Sequence, residues 1–163
     1  MKIHIRKSKV HGKGIFASRD IKKGEIVALI KGQIVDHVVV DKKTSAMGPN
    51  WIGFGKNKWI DDRTIFNHIN HSCNPTVGIK GSKTVVTLKN TKKGKELLLD
   101  YSTTESDQLW KLDKKCKCGS ENCRGKIKSI QFLPKEIFHS YIPHIPKYFQ
   151  KVYIEYHKKN NGK

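Results

Sequence analysis

The chain is short of acid and nearly devoid of arginine. Its 163 residues carry 33 lysines and arginines against 14 aspartates and glutamates, a net charge of +19, and only Arg6, Arg19, Arg63 and Arg124 of these cations are arginine. The planar guanidinium fork is the group that reads phosphates and base edges bidentately, so its scarcity argues against sequence-specific nucleic-acid recognition. The lysines run from end to end rather than in one block, which fits nonspecific nucleic-acid association and equally a plain solvated surface. No apolar run approaches the ~20 residues of a membrane span. Residues 1–14, MKIHIRKSKVHGKG, lack the apolar centre of a secretory leader. No membrane association and an intracellular location, in cytoplasm, nucleoid or a host nucleus, are therefore expected, in a monomer the size of one compact domain.

Cysteine is equally sparse, and its placement is informative. Cys116, Cys118 and Cys123 crowd into CKCGSENC, and the remaining one, Cys73, lies far upstream in NHINHSCNPT. Three thiols cannot complete a tetrahedral zinc site, which wants four N or S ligands, so Cys73 is the candidate fourth. Oxidised pairs are the alternative, although Cys116 and Cys118 are too close to bond comfortably. A Zn(Cys)4 centre carries about −2, which the neighbouring Lys114, Lys115, Lys117 and Arg124 would offset.

The first half reads as short strands. Ile3-His4-Ile5, Ile15-Phe16-Ala17, Ile26 to Ile30, Val35 to Val40 and Val85 to Leu88 are too short and too β-branched for helices. A turn phrase occurs twice, at 21–25 (IKKGE) and 91–96 (TKKGKE), each time entering an apolar run. Residues 44–50, TSAMGPN, have loop chemistry, and Asp61-Asp62 reads as a turn. Pro134 and Pro146 each open a short helix. The first carries Ile137, Phe138 and Tyr141 on one face, and the second carries Tyr148, Phe149, Val152, Tyr153 and Tyr156 at helical spacing. Lys158 to Lys163 should fray.

Four segments carry chemistry: His11 to Ala17 (HGKGIFA), Asn70 to Pro75 (NHSCNP), Glu96 to Tyr101 (ELLLDY) and Cys116 to Gly125 (CKCGSENCRG). In this order they resemble the SET-domain protein-lysine methyltransferases with a zinc-binding post-SET segment, and among these the small single-domain prokaryotic or viral type. The resemblance spans roughly residues 3 to 127. It implies a mostly β fold of short curved sheets around a pseudoknot, with a zinc-bound tail and a small helical C-terminus. The expected divisions are a SET domain at 1–104, a post-SET zinc segment at 105–128 and a helical extension at 129–163.

What the family does gives these residues roles. S-adenosylmethionine carries a sulfonium whose methyl a lysine amine attacks in line. By resemblance, Lys13, Gly14, Asn70, His71, Tyr101 and Phe132 contact the cofactor, with glycine leaving room for close backbone approach and Phe132 covering the adenine or walling the channel. Cys73, Cys116, Cys118 and Cys123 hold zinc. Tyr101 is the catalytic tyrosine, orienting the amine and offering its oxygen to the methyl. A lysine of reference pKa ~10.4 must shed a proton, which desolvation favours.

Two departures from the family stand out. No tyrosine precedes Tyr101, so Phe54, Trp51 or Trp59 fills a wall that often offers a hydroxyl. Leu99 stands where an aromatic residue governs how many methyls are added. Leucine cannot hydrogen-bond a water there, so di- or trimethylation is expected. The acceptor would be a histone, a histone-like protein or another basic nucleic-acid-associated protein, received by a groove drawn from Asp36, Asp41, Asp61, Asp62, Glu105 and Asp107. Two alternatives remain open: a zinc-stabilised nucleic-acid-binding module, and a catalytically inactive SET domain.

Overall fold

A computed structural model describes residues 2–36 and 51–160. Ten strands appear in chain order: β1 (Ile3–Lys7), β2 (Lys13–Ala17), β3 (Ile26–Leu29), β4 (Gly32–Asp36), β5 (Trp51–Gly55), β6 (Lys58–Asp62), β7 (Asn70–His71), β8 (Val77–Lys80), β9 (Thr84–Thr87) and β10 (Glu96–Leu99). They form three small sheets, ordered β1-β2-β10-β7, β3-β9-β8 and β4-β6-β5. Two helices follow, α1 (Lys135–Tyr141) and α2 (Lys147–Asn160).

The repeated turn phrase has a structural counterpart. Gly24 and Gly94 both adopt positive φ, at 82° and 78°, a conformation that costs glycine nothing and other residues dearly. Ile21 and Thr91 then pair with each other in an isolated antiparallel bridge. The two turns thus sit side by side and launch β3 and β10 into different sheets.

The apolar faces of these sheets close over one core containing Ile15, Ile30, Ile60, Phe66, Ile79, Val85, Leu97 and Leu99, with Phe54 and Tyr101 packed against it. Burial of such side chains contributes ~1.5–3 kcal/mol each. A second cluster joins Ile130, Leu133, Phe138, Phe149 and Tyr153, with the rings of Phe138 and Tyr153 stacked 3.7 Å apart. The helical spacing read from the sequence therefore does serve packing. The α1–α2 connection also reaches the sheets, because Ile79 N–H donates to the His144 carbonyl at 2.9 Å.

Several expectations need correction. Asp61 and Asp62 are the last residues of β6, not a turn. Asp62 is buried, and its Oδ1 accepts from both the backbone N–H and the hydroxyl of Thr64, at 2.8 and 2.7 Å, so the turn comes one step later. The β5–β6 hairpin and β8 had no counterpart in the strand reading. β4 begins at Gly32, and the rest of the Val35–Val40 expectation, the loop at 44–50, Asp41 and residues 161–163 lie outside the described residues. Asn160 still belongs to α2, so 158–160 are helical.

Candidate active site

The Asn-His segment forms the edge strand of the β1-β2-β10-β7 sheet. β7 pairs in parallel with β10, Asn70 opposite Leu98 and His71 opposite Leu99. Beyond it, Ser72 N–H donates to the Leu99 carbonyl at 3.0 Å and Thr76 N–H to the Leu98 carbonyl at 2.9 Å. The stretch 70–76 therefore stays bonded to β10 at both of its ends. Asn70 is buried, and its Nδ2 lies within hydrogen-bond distance of the carbonyls of His11 and Lys13, at 3.0 Å each, and of Glu96 Oε1 at 2.8 Å. Asn70 thereby fixes the entry to β2, where Lys13 and Gly14 stand. A Cβ on Gly14 would run into the Glu96 carboxylate and crowd the Asn70 amide, so a larger residue there would push Glu96 away from Asn70.

Tyr101 follows β10 and begins a short 3-10 turn, Tyr101–Thr104, capped by Asp100 through its Oδ1 and the Ser102 N–H. The Tyr101 hydroxyl donates to the Ile69 carbonyl at 2.7 Å. Burial, assisted by the Glu96 charge, pushes its pKa up to about 12. The phenol therefore keeps its proton at neutral pH and aims it at Ile69, which leaves oxygen lone pairs free to accept. His71 packs against the Tyr101 ring at 5.2 Å and accepts the Tyr101 backbone N–H on Nδ1 at 3.2 Å. Its Nε2 lies 3.4 Å from Cys73 Sγ. Burial above all, with Arg124 adding and Asp100 opposing, holds the His71 pKa down to about 4, so the ring is neutral.

The four cysteines come together. The sulfurs of Cys73, Cys116, Cys118 and Cys123 all lie within 4.8 Å of one another, and all four are free thiols. Four sulfurs ~2.3 Å from a shared zinc would stand roughly 3.8 Å apart, so the donor set and its spacing fit that ion. The pairing with Cys73, separated from the others by the whole β8–β10 region, is as the spacing argument required. Arg124 was read only as charge balance for the cluster, yet it does more. Its backbone N–H donates to Cys73 Sγ at 3.4 Å, while its guanidinium donates to buried Asp100 at 2.7 Å. The tail is thus tied both to the sulfurs and to the residue preceding Tyr101.

A cavity of about 1390 Å³ opens beside this arrangement, with Tyr101, Leu99, Asn67, Ile69, Trp51 and Trp110 in its wall. Leu99 is only 2% exposed, and its apolar side chain lies in the lining. Asn67, Gln108 and Arg124 add polar side chains to the lining, so the wall can take a polar ligand, while Asn67 Oδ1 and Arg124 Nη1 themselves are buried without a hydrogen-bond partner among the described residues. Lys13, Gly14, Asn70 and His71 lie behind this wall rather than in it. Phe54 packs on the main core, and of the three aromatics considered for the missing tyrosine's wall only Trp51 lines the cavity. Phe132 is 40% exposed, edge-on to Tyr156 at 5.8 Å with Lys128 over its ring, and is not part of the lining.

Glu105 was considered only as a groove acid. It is 5% exposed and is the only one of the acids proposed for that groove, among the described residues, that lines the cavity. Asp61 is engaged by Arg63 at 2.7 Å and Asp36 by Lys58 at 3.2 Å, away from the cavity. Burial pushes the Glu105 carboxyl up to about 7, against the pull of the Asp107 and Ser106 amides and with the Asp107 charge adding to it. A carboxyl with a raised folded-state pKa binds its proton more tightly when folded, so stability is lost as pH climbs from about 4.5 towards 7. Glu105→Gln is expected to leave stability unchanged near pH 4 and to raise it by on the order of 3 kcal/mol above pH 7. Urea melts at the two pH values measure this, and an equal shift at both would refute it.

Short sheets with an Asn-His edge strand paired to β10, an Asp-Tyr pair following that strand, and a four-thiol tail together fit a SET-type domain. The SET domain profile matches residues 12–102, more than half of the chain, and the chain belongs to that family. Histone-lysine N-methyltransferase 2B of Homo sapiens is 31% identical over 137 residues, which is 75% of this chain but 5% of that protein. The trithorax histone-lysine N-methyltransferase of Drosophila virilis is 30% identical over 138 residues, 75% of this chain and 4% of that protein. The chain thus spans a small fraction of the curated relatives it matches. Among solved structures, KRYPTONITE in complex with mCHG DNA and SAH superposes with a TM-score of 0.59 at 19% identity, covering 77% of this chain and 28% of that one. The likeness there is one of fold. No helix among the described residues is long and apolar enough to cross a membrane.

Proposed function

We propose that this chain is an S-adenosylmethionine-dependent protein-lysine N-methyltransferase with a structural zinc. The observation that carries the reading is the Tyr101 hydroxyl, protonated and held on the Ile69 carbonyl, on the wall of a cavity large enough for a cofactor and a side chain. S-adenosylmethionine supplies an electrophilic methyl group when bound. Asn67 and Gln108 line the cavity with polar side chains for such a ligand, and Asn70 and His71 hold the surrounding backbone in place. Tyr101 presents lone pairs to an incoming amine and to the methyl it receives, while the apolar part of the lining at Ile69 and Leu99 disfavours the charged ammonium. Alignment of the reactants, rather than a dedicated base, would supply most of the rate.

The relatives are histone-lysine methyltransferases by name, which supports a histone, histone-like or other basic nucleic-acid-associated protein as acceptor, approached by a monomer. The surplus of lysine supports loose nucleic-acid association as well. Buried Leu99 has no polar atom with which to hold a crowding water, so the product is expected to carry two or three methyl groups. Incubation of the purified protein with labelled cofactor and mixed histones, followed by mass spectrometry, tests both points. Absence of transfer removes the enzyme reading, and a product that stops at one methyl removes the role given to Leu99. Calorimetry with S-adenosylmethionine separates an inactive SET domain, which still binds, from a nucleic-acid module, which does not.

A further inference from the structure

The wall of the candidate site is cationic, which is the wrong sign for drawing in a basic segment. Lys111, Lys114, Lys115, Lys126 and Lys128 all line the cavity that contains Tyr101. All five are exposed, and none has a carboxylate partner among the described residues. Two acids share that lining, Glu105 and Asp113. Glu105 is buried and accepts the N–H groups of Ser106 and Asp107, so among the described residues Asp113 is the one lining acid that faces water. The charge of Arg124 is met by Asp100. A metal-loaded sulfur cluster would add about −2, but its cysteines are not in the lining.

A second observation points the same way. Residues 111–116 and 125–128 run antiparallel, with Leu112 N–H donating to the Ile127 carbonyl at 2.9 Å and Cys116 N–H to the Gly125 carbonyl at 2.7 Å. This places Lys111 directly opposite Lys128 as bridge partners. Like charges facing each other across a ladder are destabilising; Lys128 Nζ rests over the Phe132 ring at 4.7 Å, a weak contact that leaves its charge uncompensated, and an anion between the two lysines would relieve the pair. Trp110 and Leu112, beside them in the same wall, supply apolar surface for a peptide.

We propose that the cavity selects acceptor lysines flanked by acidic residues, whose carboxylates settle between Lys111 and Lys128 and along Lys114, Lys115 and Lys126. This rests on the methyltransferase reading and narrows it: within a basic protein, the favoured lysines are those in its acidic stretches. A peptide fits better than a nucleic-acid backbone because the cations share one cavity with the partly exposed Tyr101, which an acceptor side chain has to reach. They are also lysines, point charges without the fork that phosphate recognition favours.

Three peptides sharing one central residue and differing in their flanks, glutamate, glutamine or lysine, test the proposal. With norleucine at the centre, fluorescence anisotropy at about 50 and 200 mM salt should rank them glutamate, glutamine, lysine. About tenfold is expected between the first two at low salt, shrinking at the higher. Lys111→Glu/Lys128→Glu should invert the order, and the milder Lys111→Gln/Lys128→Gln should flatten it. Equal or tighter binding of the lysine-flanked peptide overturns the proposal. So does an unranked set displaced equally by single-stranded DNA, which would mark a nucleic-acid surface. With lysine at the centre, the same peptides separate the two ideas. Ranked binding without methylation defeats the enzyme reading alone, and equal methylation of all three defeats the flank preference alone.

Discussion

Replacing Tyr101 with phenylalanine is expected to lower methyl transfer by at least ~100-fold, the usual loss when one preorganised polar group is removed from a reacting centre. The ring would still pack against His71 and the main core, so the fold should survive. It will not be free of cost. The hydroxyl satisfies the Ile69 carbonyl, and leaving that group without its donor costs about 1–3 kcal/mol. A modest drop in melting temperature with cofactor affinity retained by calorimetry, together with the rate loss, is the pattern that identifies a catalytic hydroxyl. A variant that melts slightly lower yet turns over normally would make Tyr101 a packing residue with a satisfied hydrogen bond.

Stripping the metal should have the largest structural effect. Structural zinc contributes about 10–16 kcal/mol in small peptides that fold around it, and here the cluster joins Cys73 to a tail whose few other buried partners include Ile127. Chelation, or Cys116→Ser, is expected to free residues 107–128 while the sheets remain, because the core of Ile15, Ile79, Val85 and Leu97 does not include the cluster. Hydrogen exchange followed by mass spectrometry would show fast exchange in the tail and continued protection in β1, β2 and β10. Transfer should be lost, since Arg124, Trp110 and the lysine rim would leave the cavity together. An untouched exchange pattern, or purified protein without bound zinc, would defeat this.

The parts of the site legible in the sequence were those governed by a rule indifferent to distance along the chain. Four thiols need one metal, so Cys73 could be joined to Cys116, Cys118 and Cys123 without knowing the fold. The doubled turn phrase announced itself through Gly24 and Gly94. Proline before an aromatic repeat marked both helices. What escaped notice depends on closure in three dimensions. The ion pair between Asp100 and Arg124 exists because the cluster brings residue 124 to the end of β10. Glu105 looked like any loop acid until Ile130 N–H was found on its carbonyl and the tail was found covering it. The β5–β6 hairpin was missed because WIGFG and KWIDD are short and interrupted by glycine and charge, and their pairing is set by a left-handed Asn57 at the turn. Phe132, expected near the adenine from its nearness in sequence to the cluster, stands edge-on to Tyr156 and is 40% exposed.

Arg124 and Cys73 belong at once to the sulfur cluster and to the supports of Tyr101. No halfway arrangement is available in which the tail is loose and the pocket intact. A preparation half loaded with zinc would then be two populations, one competent and one inert, rather than a uniformly sluggish catalyst. Specific activity would scale with metal stoichiometry, while the apparent KM of the working fraction stayed where it was.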